Sequence, residues 1–196
     1  MGTRNLIALF HEGKYKVAQY GQWDGYPEGQ GVDVLAFLHG LKNREDFLRK
    51  VDECIIMDEP TLKKLWQEAG ADESGWIAYA DAQFFNKNYP SLSRDTGAKI
   101  FTLIDKANDI VPLRLQLHFA GDGLFCEWAY VVDFDKNTFE VYKGFSHTIS
   151  PDERFAFLAK EGEEYAPVNH VHTFMLDDLP TEKEFLKILV PQEEDA

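Results

Sequence analysis

The spacing at which apolar residues recur changes twice along this chain, and that limits the folds open to it. Leu6 to Phe10 and Tyr15 to Tyr20 flank His11-Glu12-Gly13-Lys14 and predict a β-hairpin. From Val32 the apolar residues return at helical spacing, through Leu35, Phe37 and Leu38 and, much later, through Ala98, Phe101, Leu103 and Ile104. Beyond Leu113 they alternate. Leu113, Leu115, Leu117 and Phe119 predict a half-buried strand, and Cys126, Trp128, Tyr130, Val132 and Phe134 form one apolar face of the strongest strand. Asp135-Lys136-Asn137 then turns the chain into a hairpin partner at Phe139 to Tyr142, and Val168 to Leu176 adds a further strand. A hairpin, a helical stretch and a return to strands specify an α+β fold. The expectation is an antiparallel sheet of about five or six strands with a helical block inserted after the first β-hairpin.

The helical stretch has its own punctuation. Asn43 caps a predicted helix over Arg44 to Val51, and Pro60 opens another over Thr61 to Ala69 that Gly70 closes. Trp76 to Phe85 is aromatic on more than one side, which predicts a well-buried helix. Asp95 or Ser93 is expected to cap the helix that runs to about Ala107. Ser150-Pro151-Asp152-Glu153 is expected to open a short helix, and Thr181 with Glu184 fits a capping box for the last one. The whole chain, 1–196, reads as one domain that ends in an acidic tail at 192–196.

Charge narrows the function classes. With 34 acidic against 20 basic side chains the formal charge is −14, which repels phosphate backbones and disfavours general nucleic-acid binding. A local basic pocket remains compatible with a small anion, and strong acidity suits docking on a basic partner. Cys54 and Cys126 lie too far apart for metal-ligand spacing, and two reduced thiols predict a cytoplasmic setting. No apolar run approaches the roughly 20 residues of a membrane span.

The stretch Gly21-Gln22-Trp23-Asp24-Gly25-Tyr26-Pro27-Glu28-Gly29-Gln30-Gly31 joins the hairpin to the first helix. Its glycines allow close approach of a backbone or ligand, and Trp23 and Tyr26 are costly on a surface unless something covers them. It matches neither the P-loop nor the dinucleotide fingerprint, although Gly29-Gln30-Gly31 opens a helix whose N–H groups suit an anion.

Three stretches resemble one family. The run Gly2-Thr3-Arg4-Asn5-Leu6, the 21–31 loop, and Glu127-Trp128-Ala129-Tyr130-Val131-Val132-Asp133 are similar to uncharacterised proteins of bacteriophages and prophages, and to fungal proteins that open on a similar Gly-Thr-Arg-Gly run. The resemblance covers most of the chain and carries no assigned activity. It implies a phage or bacterial-cytosol setting, in which accessory proteins often antagonise host defence.

The candidate ligand-binding residues are Arg4, Trp23, Asp24, Tyr26, Glu28, Arg94 and Glu127. Trp23 and Tyr26 would stack on or wall a ring. Asp24 and Glu28 would accept hydrogen bonds, Arg4 or Arg94 would supply positive charge, and Glu127 sits within a strand where a carboxylate needs a partner. The first expectation is a binder of a small anionic or nucleotide-like ligand, with no cofactor. The second is an acidic inhibitor that docks on a host protein complex. The third is a hydrolase using Glu127 and Asp24 as an acid–base pair. His170 and His172 share a strand face, but no third ligand or H-E-x-x-H motif supports a metal, and none is expected.

Overall fold

The computed structural model describes residues 2–190. The acidic tail at 192–196 lies outside the described residues. Five strands form the main sheet in the order β2-β1-β5-β6-β7: β1 Asn5–His11, β2 Lys14–Gly21, β5 Trp128–Asp133, β6 Thr138–Lys143 and β7 Asn169–Met175. All neighbours are antiparallel except β1 and β5, which run parallel with Ile7 beside Tyr130. A parallel pair cannot be closed by a tight turn. The connection between them carries the helical block: α1 Val32–Gly40, α2 Arg44–Glu53, α3 Glu59–Glu68, α4 Tyr79–Asn88 and α5 Lys99–Lys106. Within that block a second, two-stranded parallel sheet joins β3 Ile55–Ile56 to β4 Pro112–Leu113. The last helix, α6 Glu182–Leu189, follows β7 and starts on the expected capping box, with Thr181 and Glu184 bonded reciprocally.

The turn of the first hairpin places both Glu12 (φ 51°) and Gly13 (φ 72°) in the left-handed region, as a two-residue hairpin turn demands. Asp135 holds it from the next turn, accepting the backbone N–H of Glu12 at 2.9 Å and of Gly13 at 2.8 Å. Burial on both sides of the sheet follows from its cover. Ile7, Leu9, Tyr130, Val132, Phe139 and Val141 meet α1, α2, α5 and α6 on one face. On the other, Leu6, Ala8, Ala129, Val131 and Tyr142 meet Ala120, Phe155 and Val168 from irregular segments.

Several sequence expectations are revised. Cys126 belongs to the second core and not to the face of Trp128, Tyr130 and Val132, because the chain bends before β5 begins. The alternating run after Leu113 pairs only over β4. Leu117–Gly121 then winds into a 3-10 helix that covers the sheet edge, where Gln116 donates its N–H to the Ala18 carbonyl at 2.8 Å. Neither Asp95 nor Ser93 caps α5. Its N-cap is Ala98, whose N–H donates to Gln30 Oε1 at 2.6 Å, while the Ser93 hydroxyl accepts from the Asp95 N–H. Residues 150–155 form turns rather than a helix, followed by a 3-10 turn at Ala156–Leu158.

The helix predicted over Trp76 to Phe85 begins at Tyr79 and is not well buried. Only Phe85 is enclosed, against Trp66 and Tyr89, while Trp76 is 68%, Tyr79 78% and Phe84 66% exposed. Aromatic character on several sides met too little protein to cover it. Among the described residues no helix is long and apolar enough to cross a membrane.

A groove of arginine and aromatic rings beside the 21–31 loop

The 21–31 loop is braced from several directions. Gly25 donates its N–H to the Thr3 carbonyl, and Gln30 donates its own to the Asp24 carbonyl, both at 2.9 Å. The Asn5 side-chain amide donates to the Trp23 carbonyl at 3.1 Å, and the Tyr130 hydroxyl to the Gly25 carbonyl at 2.9 Å. Burial pushes the Tyr130 hydroxyl pKa well up, and the charge of Glu28 adds to the rise. It therefore stays protonated and donating. A π-helical turn at Pro27–Gly31 feeds directly into α1.

The glycines serve this packing. A Cβ on Gly25 would stand 2.8 Å from the Thr3 carbonyl oxygen, and one on Gly29 only 2.3 Å from that of Asp24. The loop is thus a rigid frame whose backbone is occupied by the protein itself. Its side chains are another matter: Trp23, Asp24, Tyr26 and Glu28 all face solvent. Asp24 sits at φ 55°, a conformation Asp tolerates better than most residues. Trp23 lies over Gly2 and donates its indole N–H to Asp95 Oδ1 at 2.8 Å.

The predicted residues fall into two groups on either side of this frame. Arg94 is exposed and meets the loop through its backbone, its carbonyl accepting the Gln22 N–H at 2.9 Å. Arg4 and Glu127 lie at the start of β1 and β5. The Arg4 backbone N–H donates to Glu127 Oε1 at 3.4 Å, so the carboxylate braces the strand start and does not neutralise the guanidinium. That guanidinium stacks over the Phe125 ring, 4.9 Å from its centre, a distance at which a cation is attracted to an aromatic face. It has no carboxylate partner among the described residues.

Arg4, Tyr20, Phe119, Asp122 and Phe125 line a groove of about 240 Å³. Tyr20 and Phe119 pack edge to face, with ring centres 4.8 Å apart. The Tyr20 hydroxyl bonds Gln22 Oε1 at 2.6 Å, which ties one groove wall to the loop. Asp122 accepts the Phe125 N–H through Oδ1 at 3.2 Å. One cation and one carboxylate therefore stand among three rings.

Sequence reasoning placed Arg4 here and missed its aromatic lining. The alternation that ends at Phe119 reads as a strand, and only the glycines of Gly121-Asp122-Gly123 mark in the sequence that the chain folds back at this point. Close glycine packing marks the same place. A Cβ on Gly123 would meet the Ala166 carbonyl oxygen at 1.9 Å, and Phe145 beside it holds φ 65°. A bulky residue in that region is strained and persists only where its surroundings fix it.

Among the described residues no contact joins Asp24 to Glu127: the Asp24 carboxylate makes no hydrogen bond, while the Glu127 carboxylate accepts the Arg4 backbone N–H. His170 Nε2 bonds the Thr173 hydroxyl at 2.7 Å, and the His172 ring packs on Phe174. His11, Glu12 and Asp52 approach one another closely enough to suggest a cation site. The Lys16 ammonium already sits between Glu12, at 2.9 Å, and Asp52. Comparison with protein-family models, with curated proteins and with solved structures found no match for this chain.

Proposed function

We propose that this protein binds a small, ring-bearing anion such as a nucleotide in the Arg4 groove, one wall of which the 21–31 loop braces through the Tyr20–Gln22 hydrogen bond. The observation that carries the reading is the Arg4 guanidinium, which lies over Phe125 with no carboxylate partner among the described residues in a chain of net charge −14. Not paired with a carboxylate among the described residues, the guanidinium is open to an external anion, and Asp122 in the same lining can accept from a donor on the ligand. Guanidinium groups suit phosphate and carboxylate because their planar fork can make two parallel charge-assisted bonds. Phe125, Phe119 and Tyr20 supply ring faces, and base–aromatic stacking contributes about 1–3 kcal/mol per base.

The test is thermal stability against a panel of nucleoside monophosphates, cyclic nucleotides and sugar phosphates, with each compound recovered and analysed afterwards. A ligand at about 100 times its Kd adds roughly 2.7 kcal/mol, a rise of roughly 5–11 °C for a chain of this size. Arg4→Gln and Phe125→Leu are expected to remove the rise. If both variants bind as the parent does, or if no compound raises the transition, the reading fails. Recovery of a cleaved compound would move the assignment to the enzyme reading.

One observation favours docking on a host protein. Three aromatics at least 66% exposed, Trp76, Tyr79 and Phe84, lie on the segment carrying α4, beside Asp72, Glu73 and Asp81. Exposed apolar groups rimmed by charge mark interaction surfaces. A stoichiometric complex lost on changing all three to serine would support that alternative.

A further inference from the structure

We propose that the cleft between α4 and α5 is a second, independent binding site for a phosphate-bearing anion. It has a volume of about 450 Å³ and is lined by Gln83, Asn86 and Lys87 from α4, by Pro90, Ser93, Asp95 and Thr96 from the connection, and by Lys99 and Leu103 from α5. Spacings of three and four residues put each helix's contributors on one face. The proposal does not depend on the Arg4 groove.

Hydrogen-bonding capacity decides what the cleft accepts. Neither Lys87 nor Lys99 pairs with a carboxylate among the described residues, although the chain has 34 acidic side chains to offer. Among the described residues the Asn86 amide has no hydrogen-bond partner, and the Ser93 hydroxyl, on a residue only 4% exposed, accepts from the Asp95 N–H at 3.2 Å and donates to none of them. Thr96 is engaged elsewhere, donating to the Pro90 carbonyl at 2.5 Å, and Gln83 donates one amide proton to the Tyr79 hydroxyl.

On the acceptor side, the one carboxylate in the lining is Asp95, and its Oδ1 is held by the Trp23 indole at 2.8 Å. The lining thus offers two ammonium groups, a hydroxyl and an amide as donors against a single carboxylate, Asp95, whose Oδ1 is already engaged. A phosphate, with several charged oxygens, fits that set, and a cation does not. The cleft has no stacking ring, so it would read the phosphates and not the group they are attached to.

Isothermal titration of the full chain with pyrophosphate at low and at physiological salt tests this, with ADP titrated alongside to ask whether a nucleoside adds anything. The expected result is one binding event that weakens with salt. It should weaken about tenfold or more in Lys87→Gln and again in Lys99→Gln, since hydrogen bonds to charged groups are the strong ones. Both lysines are exposed, so an unchanged far-ultraviolet spectrum and melting midpoint are expected for both variants. Arg4→Gln should leave pyrophosphate binding unchanged, which separates this site from the groove. No binding by the parent chain, equal binding by the Lys87→Gln/Lys99→Gln double variant, or loss of binding in Arg4→Gln would overturn the assignment.

Discussion

Replacing Arg154 by alanine tests how the irregular cover of the second face is held to the sheet. The guanidinium forks onto Glu140, Nε to Oε2 at 2.7 Å and an Nη to Oε1 at 2.9 Å, and it also bonds Asp133. It stacks on Phe10, 5.3 Å from the ring centre. One side chain therefore joins residues 150–158 to β1, β5 and β6. Its partners are deeply enclosed, with the Asp133 side chain 0% and that of Glu140 7% exposed. Removing the cation strands two buried carboxylates on neighbouring strands.

Breaking a buried pair in this way costs about 3–5 kcal/mol, a large share of the roughly 5–15 kcal/mol that holds a domain folded. For a chain of this size the melting midpoint should fall by roughly 6–20 °C. The pH dependence carries the diagnostic sign. Burial pushes Glu140 upward, but the Arg154 bonds, with those of Tyr142 and Thr138, outweigh it and hold the carboxyl below its usual range. A lowered folded pKa contributes stability that is present above the unfolded value and disappears as pH falls through the folded one. Without Arg154 the burial that pushes Glu140 upward is no longer outweighed, so the variant's deficit should shrink between pH 7 and about pH 5. Chemical denaturation of both chains across that range is the assay. Adding Asp133→Asn and Glu140→Gln to the variant should recover part of the loss. A deficit under about 1 kcal/mol, or one that does not change with pH, would refute the account.

Two further outcomes follow from the packing. Gly25→Ala should lower the melting midpoint by several degrees without altering the far-ultraviolet spectrum, because its Cβ would press on the Thr3 and Arg4 carbonyls at 2.8 and 3.0 Å. An unchanged midpoint would show the loop to be slack. Burial, aided by Asp52 and Glu53, raises the Cys54 thiol to about 11, and burial pushes that of Cys126 well up. Both should react with a thiol reagent at neutral pH only as the chain unfolds, and prompt labelling of either would count against the enclosure described.

Local sequence was most informative where chemistry between close neighbours decides the structure. Asn43, Thr181 and Glu184 cap their helices as their spacing predicts, and Glu12-Gly13 turns the first hairpin. Long-range cover was not legible. Alternation at Leu113 to Phe119 is equally compatible with a strand and with an edge-capping coil, and only the neighbouring β2 selects the second. Asp133 and Glu140 look like residues of a polar sheet face, because their counter-ion comes from a turn whose sequence, Ser150-Pro151-Asp152-Glu153, resembles a helix start.

The same distinction applies to the candidate sites. Composition picked out the 21–31 loop correctly as unusual, but its glycines answer to Thr3, Asn5, Asp24 and Tyr130. A glycine needed for close approach looks the same in sequence whether the approaching group is a ligand or the protein's own backbone. What separates the two is the hydrogen bonding, and here the loop backbone is largely engaged within the protein while, among the described residues, the Arg4 guanidinium and the Lys87 and Lys99 ammonium groups have no hydrogen-bond partner. Unengaged donors beside a braced frame are the arrangement a binding surface requires, since a frame that gave way would lose affinity to its own ordering. For the proposed groove that frame reaches one wall, since Gln22 of the loop holds the Tyr20 hydroxyl.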